Sequence, residues 1–465
     1  MINRRNFLGM GAAAGLAGLG TAGCASMGVA PAVLPAKRPN SRLKFAVIGC
    51  GAQGSSDLKT FSTHRRIDMA AFCDVDMLML DKLRPKFPKA NYYQNWREML
   101  DKEAPDAVMV ATPDHWHCEI MSEVMRRGIH LYAEKPLCRT FAECRQLESL
   151  AKSSGVVTQL GTQIAAWECD RHTAAILRRG DIGEVKKVYL FTNTGYYAKL
   201  LDRKWPLNAE KAPVPSTLDW KGWLGPAPYR DYVPNRYHSF VWRVWRDFGT
   251  GWLGDMGSHI FSPVWLGMDL GTTAPISAKA NVLDLGWNAE MKKQFISIFS
   301  HIVFKFPGVK ATGMKPFEVE WCDGPALGKV PKEFLPDGET EKISGNRISD
   351  SVPAEYLPPA ALKALAEKSQ LGSLPIQGRV VEGTNGWLIS THFNQPPVVL
   401  DAKGNPKPFN LPFLEPVANH YHDFVDCCLD GGKPVCDLSW TTKLTDWIIL
   451  GQLAIDNPGK EVKII

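Results

Sequence analysis

Asp255 and His259 stand four residues apart in the run Gly251-Trp-Leu-Gly-Asp255-Met-Gly-Ser-His259, which opens a helix and sets both side chains on one face. A carboxylate beside an imidazole can move protons. Oxidising a secondary alcohol needs a base for the hydroxyl proton while hydride leaves the same carbon, and an imidazole with an unperturbed pKa of about 6.5 suits that task. Asp255 is placed to orient the imidazole or to bond the reacting hydroxyl. Lys135, in Glu134-Lys135-Pro136, adds a cation that can stabilise a developing alkoxide. The plainer alternative is an Asp–His pair that only caps a helix.

Such chemistry needs a hydride acceptor, and the chain offers a place for one in Leu43-Lys-Phe-Ala-Val-Ile-Gly49-Cys-Gly51-Ala52-Gln53-Gly54. The apolar run from Phe45 to Ile48 suits a parallel strand covered on both faces. Gly49, Gly51 and Gly54 then permit a tight turn, close approach to a pyrophosphate and packing of helix on strand, with the phosphates at the next helix N-terminus. Asp74 ends the next apolar strand, Met69 to Asp74, at the distance past Gly54 expected of a ribose-binding carboxylate. Its charge would repel a 2′-phosphate, which favours NAD over NADP. Lys82 and Arg84 lie close enough in sequence to keep NADP open, and a solvated Asp ending a strand is the alternative.

The elements that position these groups alternate through the first half. Strand Ala107 to Thr112 is followed by Pro-Asp-His115-Trp116-His117 and a helix from Cys118 to Arg127, then strand Ile129 to Ala133, a helix from Thr140 to Ser153 and strand Val156 to Leu160. This is a doubly wound parallel sheet, and ligands bind beyond the carboxyl ends of its strands. There lie Thr112, His117, Glu134 and Lys135. After Gly161-Thr-Gln163 comes a helix from Cys169 to Arg179, and then the alternating strand Gly183 to Thr192 opens a part where strands and turns dominate. Its tryptophans suit stacking on sugar rings or packing of sheet on helices. We take only Trp252 or Trp116 as near a ligand. Arg243, Arg246 and Asp247 precede the active helix. His115, His420 and His422 read as structural or surface residues. The stretch from Gly324 to Gln377 lacks sustained periodicity and reads as an inserted loop region. An amphipathic helix follows Glu415, and a last helix runs from Ser439 to Ile455.

The first residues read as an export signal. Arg4-Arg5-Asn-Phe-Leu8 precedes an acid-free Gly/Ala/Leu-rich run to Gly23 that is too short and glycine-rich to span a membrane, and it resembles a Tat signal. Thr21-Ala-Gly-Cys24 resembles a lipobox, so Cys24 is a candidate for lipidation; cleavage near Ala30 or Ala32 is the alternative. Residues 25–42 read as a tether. With 54 basic and 48 acidic residues the formal charge is +6, falling to +4 without Arg4 and Arg5, and no basic block supports nucleic-acid binding. The eleven cysteines show no CxxC or zinc spacing, and no metal site is expected. Cys50 and Cys73 fall in or beside core strands, as small apolar residues do.

The order Gly-x-Gly-x-x-Gly, Ala-Thr112-Pro-x-x-x-His117, Glu134-Lys135-Pro and Gly-Asp255-x-x-x-His259 resembles the Gfo/Idh/MocA family of sugar and inositol oxidoreductases over most of the mature chain. The resemblance implies an α/β Rossmann domain followed by an α+β domain with an open, mostly antiparallel sheet that carries the substrate site. With the signal at 1–24, the linker at 25–42 and the insertion near 324–377 as read above, it puts the NAD-binding domain at 43–162, the substrate domain at 163–415 and, at 416–465, helices that pack back on the nucleotide domain. The family's catalytic Lys, Asp and His map onto Lys135, Asp255 and His259. Cofactor contacts map onto Gly49, Gly51, Ala52, Gln53, Gly54, Asp74, Thr112, His117, Glu134, Lys135 and Gln163, and substrate contacts onto Lys135, Arg243, Trp252, Asp255 and His259.

Three functions are then open: an exported sugar oxidoreductase with a tightly held NAD recycled within each turnover, a redox-neutral NAD-dependent glycosidase, or a nucleotide-binding protein without catalysis. The complete Lys/Asp/His set argues against the third. The active stretch departs from that of the family's α-N-acetylgalactosaminidases, and the oxidoreductase is the favoured reading. A carbohydrate substrate and a homo-oligomer at the cell envelope are expected, with membrane contact only through signal or lipid.

Overall fold

The computed structural model describes residues 41–192 and 210–464, apart from 239, 283–287, 298, 324–357, 370, 376, 393–394 and 416. The export signal with Arg4, Arg5 and Cys24, nearly all of the tether and most of the 324–377 stretch lie outside the described residues.

Six parallel strands form the first sheet: β1 (Leu43–Ile48), β2 (Ile67–Cys73), β3 (Asn91–Tyr93), β4 (Ala107–Val110), β5 (His130–Ala133) and β6 (Thr158–Leu160), in the order β3-β2-β1-β4-β5-β6. The order reverses between β1 and β4. Phe45, Ala46 and Val47 have no exposed surface, because helices cover both faces of the sheet. The helix Phe141–Ser154 shows how local chemistry sets an element: Thr140 Oγ1 accepts from the Glu143 N–H at 3.2 Å while the Glu143 carboxylate accepts from the Thr140 N–H at 3.0 Å.

The second sheet holds β7 (Val185–Phe191), β8 (Ser277–Val282), β9 (Ser300–Phe306), β10 (Phe317–Cys322), β11 (Gly378–Gly383), β12 (Gly386–Thr391), β13 (Val398–Asp401) and β14 (Glu461–Lys463), in the order β13-β12-β11-β7-β10-β9-β8-β14. Among the described strands of this sheet only β7 and β10 pair in parallel. One face is covered by the helices Glu168–Arg179, Gly251–Gly267 and Leu438–Asp456, which share a core rich in tryptophan. Glycines set their spacing: a Cβ on Gly257 would lie 2.8 Å from the Trp447 ring, and one on Gly267 would lie 2.9 Å from Ala174 Cα.

The chain then returns to the first domain. Phe424, Val425 and Leu429, on the helix His420–Asp430, are buried with Phe45, Phe61 and Tyr132 in one core. Three differences from the sequence reading go beyond a residue or two at the end of an element. The helix expected from Cys118 begins at Asp114, because Pro113 fits the position before a first turn and Asp114 favours that turn. The helix expected after Glu415 begins only at His420, where Asn419 accepts from the N–H groups of Tyr421 and His422. Within the stretch read as loop, Ala360–Lys368 is a helix whose Leu362, Leu365 and Ala366 recur at i, i+3 and i+4 and bury against Phe191 and Val380.

Candidate active site

Beyond the carboxyl ends of β1, β4 and β5, a cleft of about 390 Å³ runs between the two domains, a size suited to a small-molecule site. Its floor is the turn after β1. Gly49 has φ +89°, and a Cβ there would lie 2.5 Å from the Ala111 carbonyl oxygen; a Cβ on Gly54 would lie 2.1 Å from the Gly49 carbonyl oxygen. Gly51 is different. Its Cβ would meet only Met79 Sδ, at 4.0 Å, and would project into the cleft. The helix Ala52–Phe61 starts beside it with no side-chain cap, so its first N–H groups are free for an anion.

Asp74 lines the same cleft. Its Oδ2 accepts from the Cys50 N–H at 2.7 Å and its Oδ1 from the Asp76 N–H at 2.9 Å, which leaves lone pairs for ribose hydroxyls. Burial pushes the Asp74 carboxyl up, while those two N–H groups pull it back. The uncapped helix end, the glycine opening and this carboxylate fit a dinucleotide such as NAD. Replacing Asp74 by Ala is expected to weaken NAD binding by about 1.5–3 kcal/mol and to narrow the preference against NADP. Titration of both dinucleotides by fluorescence checks this, and unchanged affinities would return Asp74 to a role in the turn alone.

At the other end of the cleft Lys135, Asp255 and His259 come together. Lys135 Nζ donates to Asp255 Oδ1 at 2.6 Å and to the Asp255 carbonyl oxygen at 2.8 Å, a contact that joins one domain to the other. Arg243 Nε lies 3.6 Å from the same Oδ1, and its guanidinium stacks over Phe240 and Trp242 at 4.3 Å from each ring centre. His259 is buried at 7% exposure but borders the cleft, and its ring centre is 5.8 Å from that of His392. Burial first, and then the charge of Lys135, holds the His259 imidazole well below its ordinary value. A neutral imidazole can accept a proton, and both influences favour the neutral form.

Not every expected residue reaches the cleft. Gly49, Gly51, Ala52, Gln53, Asp74, Thr112, Glu134, Lys135, Arg243, Asp255, His259 and Trp116 line it. His117 is turned inward, with Nδ1 2.8 Å from the Pro136 carbonyl oxygen and Nε2 2.8 Å from that of Thr112, so it braces the loops after β4 and β5. Gln163 donates to Glu134 Oε1 at 2.5 Å and orients that carboxyl. Trp252 is buried in the second core, where Nε1 donates to Thr192 Oγ1 at 3.1 Å. His115 is buried with Nε2 3.0 Å from the Trp223 carbonyl oxygen. Arg246 and Asp247 are taken up by Asp456 and Arg230.

Other lining residues had escaped the sequence reading. His392 follows the end of β12, and His238, Phe240 and Trp242 come from the segment before the active helix. His238 Nε2 lies 3.0 Å from Asp76 Oδ2, which ties that segment to the loop after β2. Among the described residues no cluster of three or more metal-ligating side chains occurs, and no helix is long and apolar enough to cross a membrane.

A dinucleotide-type Rossmann sheet, a mixed open sheet and a cleft between them define a two-domain nucleotide-binding class. Residues 43–162 match "Oxidoreductase family, NAD-binding Rossmann fold" and residues 171–308 match "Oxidoreductase family, C-terminal alpha/beta domain", and the chain belongs to the Gfo/Idh/MocA oxidoreductase family. It is similar to a glycosyl hydrolase family 109 protein of Shewanella baltica, with 26% identity over 204 residues that cover 40% of this chain and 44% of that one. It is also similar to an α-N-acetylgalactosaminidase of Shewanella oneidensis, with 30% identity over 32% of this chain and 37% of that one. The chain thus spans less than half the length of the curated relatives it matches. Among solved structures, the WlbA dehydrogenase of Bordetella pertussis, in complex with NADH and UDP-GlcNAcA, shares the fold with a TM-score of 0.57 at 13% identity, over 91% of this chain and 99% of that one.

Proposed function

We propose that the protein is an NAD-dependent enzyme that oxidises a secondary hydroxyl of a sugar or sugar derivative. The observation that carries this reading is the Lys135–Asp255 contact made across the cleft, with the neutral His259 on the next turn of the same helix. Bound NAD supplies an acceptor for the hydride that leaves the hydroxyl-bearing carbon. His259 takes the hydroxyl proton. Lys135 stabilises the negative charge that grows on the oxygen, and Asp255 holds Lys135 in place. Arg243, anchored on two aromatic rings, offers further donors to sugar hydroxyls.

A second reading is favoured by the names of the relatives. In a redox-neutral glycosidase the same proton abstraction would begin a sequence of elimination of the leaving group and addition of water, with the sugar returned to its original oxidation level. Export through a Tat signal at Arg4-Arg5, with Cys24 as a lipid anchor, supports a cofactor that travels inside the folded protein under either reading. Full-length protein purified from the cytoplasm is therefore expected to release nicotinamide dinucleotide on denaturation. Incubating it with a panel of glycosides and free sugars, without added NAD, and weighing the products by mass spectrometry separates the cases. Sugars lighter by two hydrogens, paired with a reduced partner, support the oxidoreductase; cleaved glycosides of unchanged oxidation level support the glycosidase. No product from any compound would overturn both.

A further inference from the structure

Behind Lys135 lies a group of titratable side chains that this chemistry does not use. Asp57, on the helix Ala52–Phe61, and Glu134, just past β5, have exposures of 0% and 4%, and their carboxyl groups are in hydrogen-bonding contact. Asp57 Oδ1 accepts from Tyr421 Oη at 2.7 Å and from Gln53 Nε2 at 2.7 Å. Glu134 Oε1 accepts from Gln163 Nε2, and Oε2 from the Lys135 N–H at 3.3 Å. Asp57 Oδ2 is also buried, and no N–H or O–H donor of the described residues reaches it. A proton on the neighbouring Glu134 carboxyl would satisfy that oxygen.

Two buried carboxyls in contact do not both ionise at neutral pH, since each charge raises the cost of the other. The pair is faced by Gln53 from its own helix, Tyr132 from β5, Gln163, Tyr421 from the last part of the chain, and Lys135, with the His420 ring beyond Tyr132. Burial drives both carboxyls above their ordinary values, and the charge of Asp57 adds to the effect on Glu134. Of these neighbours Lys135 is the cation. An ionised Glu134 would compete with Asp255 for it.

We propose that Asp57 is a positioning residue, which shares one proton with Glu134 and so leaves Lys135 bound to Asp255 across the cleft. The inference rests on the reading of Lys135 as the group that stabilises charge on the substrate oxygen. In Asp57→Asn the neighbouring charge is gone, so Glu134 loses its proton at lower pH and draws on Lys135. In Tyr421→Phe the anionic form of the pair loses a donor, so its proton is held to higher pH.

Infrared difference spectra of the full-length protein test this without substrate. The spectrum of the native protein minus that of Glu134→Gln at pH 7 is expected to show the C=O stretch of a protonated carboxyl. On alkaline titration that band should vanish about one pH unit or more earlier in Asp57→Asn, and later in Tyr421→Phe, with melting curves confirming that each is folded. Asp57→Glu, which keeps a carboxyl, should restore the band to its native titration. Where turnover is measured, the alkaline fall in kcat should move in the same direction as the band in each variant. A missing band at pH 7, or one that titrates alike in all variants, would overturn the shared proton. Opposite shifts of the band joined to full turnover in Lys135→Met would instead overturn the role given to Lys135, and with it the positioning role, while the shared proton would stand.

Discussion

Replacing His259 by Ala is expected to lower turnover by about 10²–10⁴-fold, the usual contribution of a general base, with NAD affinity nearly unchanged. Gly51 and Asp74, which would hold the nucleotide, belong to the first domain, whereas His259 stands on a helix of the second. Lys135→Met should slow the same step. In the proposed reaction the two act on one oxygen, so the double variant should lose less than the sum of the single losses in activation free energy. The pH profile carries the sign. The imidazole is held well below its ordinary value, so it stays neutral as pH falls through 6.5, and the acid limb of the native profile should lie well below that point. An acid limb near 6.5, or full activity in His259→Ala, would place the base elsewhere.

The second large effect is expected from two neighbouring glycines with opposite outcomes. Gly54→Ala puts a Cβ against the carbonyl oxygen of Gly49, a backbone atom that cannot swing away, so the turn after β1 must open. A loss of about 3 kcal/mol or more in stability follows, at the upper end of overpacking costs. Gly51→Ala meets nothing nearer than a methionine sulfur at the edge of van der Waals contact, so it should melt like the native protein stripped of its dinucleotide and still fail to hold one. Thermal melts in the presence and absence of NAD separate the two. Equal melting of both variants would mean that the turn relaxes in a way its close contacts do not suggest.

The residues legible in the sequence were those whose roles are set by near neighbours. Gly49, Gly51 and Gly54 sit within six residues, Asp74 ends the adjacent strand, and Asp255 and His259 share one helical face. Each needs only one strand or one helix to be placed. His392 had no such signal: it reaches the cleft because β12 lies next to β11, which pairs with β7, an order that no local pattern encodes. His238, Phe240 and the short 3₁₀ turn Val241–Val244 that carries Trp242 show no sustained period either. Trp252 misled because helical spacing puts it on the side of Asp255, yet a helical side chain leans toward the N-terminus of its helix, and there Thr192 offers an acceptor. His117 and Gln163 were legible as neighbours of the site, but the carbonyls and the carboxyl that turn them away from the cleft come from segments distant in sequence. The helix Ala360–Lys368 was hidden by its shortness between prolines and glycines.

The return of the chain to its first domain bears on how the protein can be made. The ribosome releases β1 to β6 long before Phe424, Val425 and Leu429, yet those three side chains fill the core under Phe45, Phe61 and Tyr132. During synthesis the nucleotide-binding half must wait with an apolar face uncovered until more than two hundred further residues have emerged, and only then can it close. It is a discontinuous domain, so a fragment ending near residue 192 would contain all six strands and still lack part of its own interior. Folding from one end to the other, domain after domain, is not open to this chain.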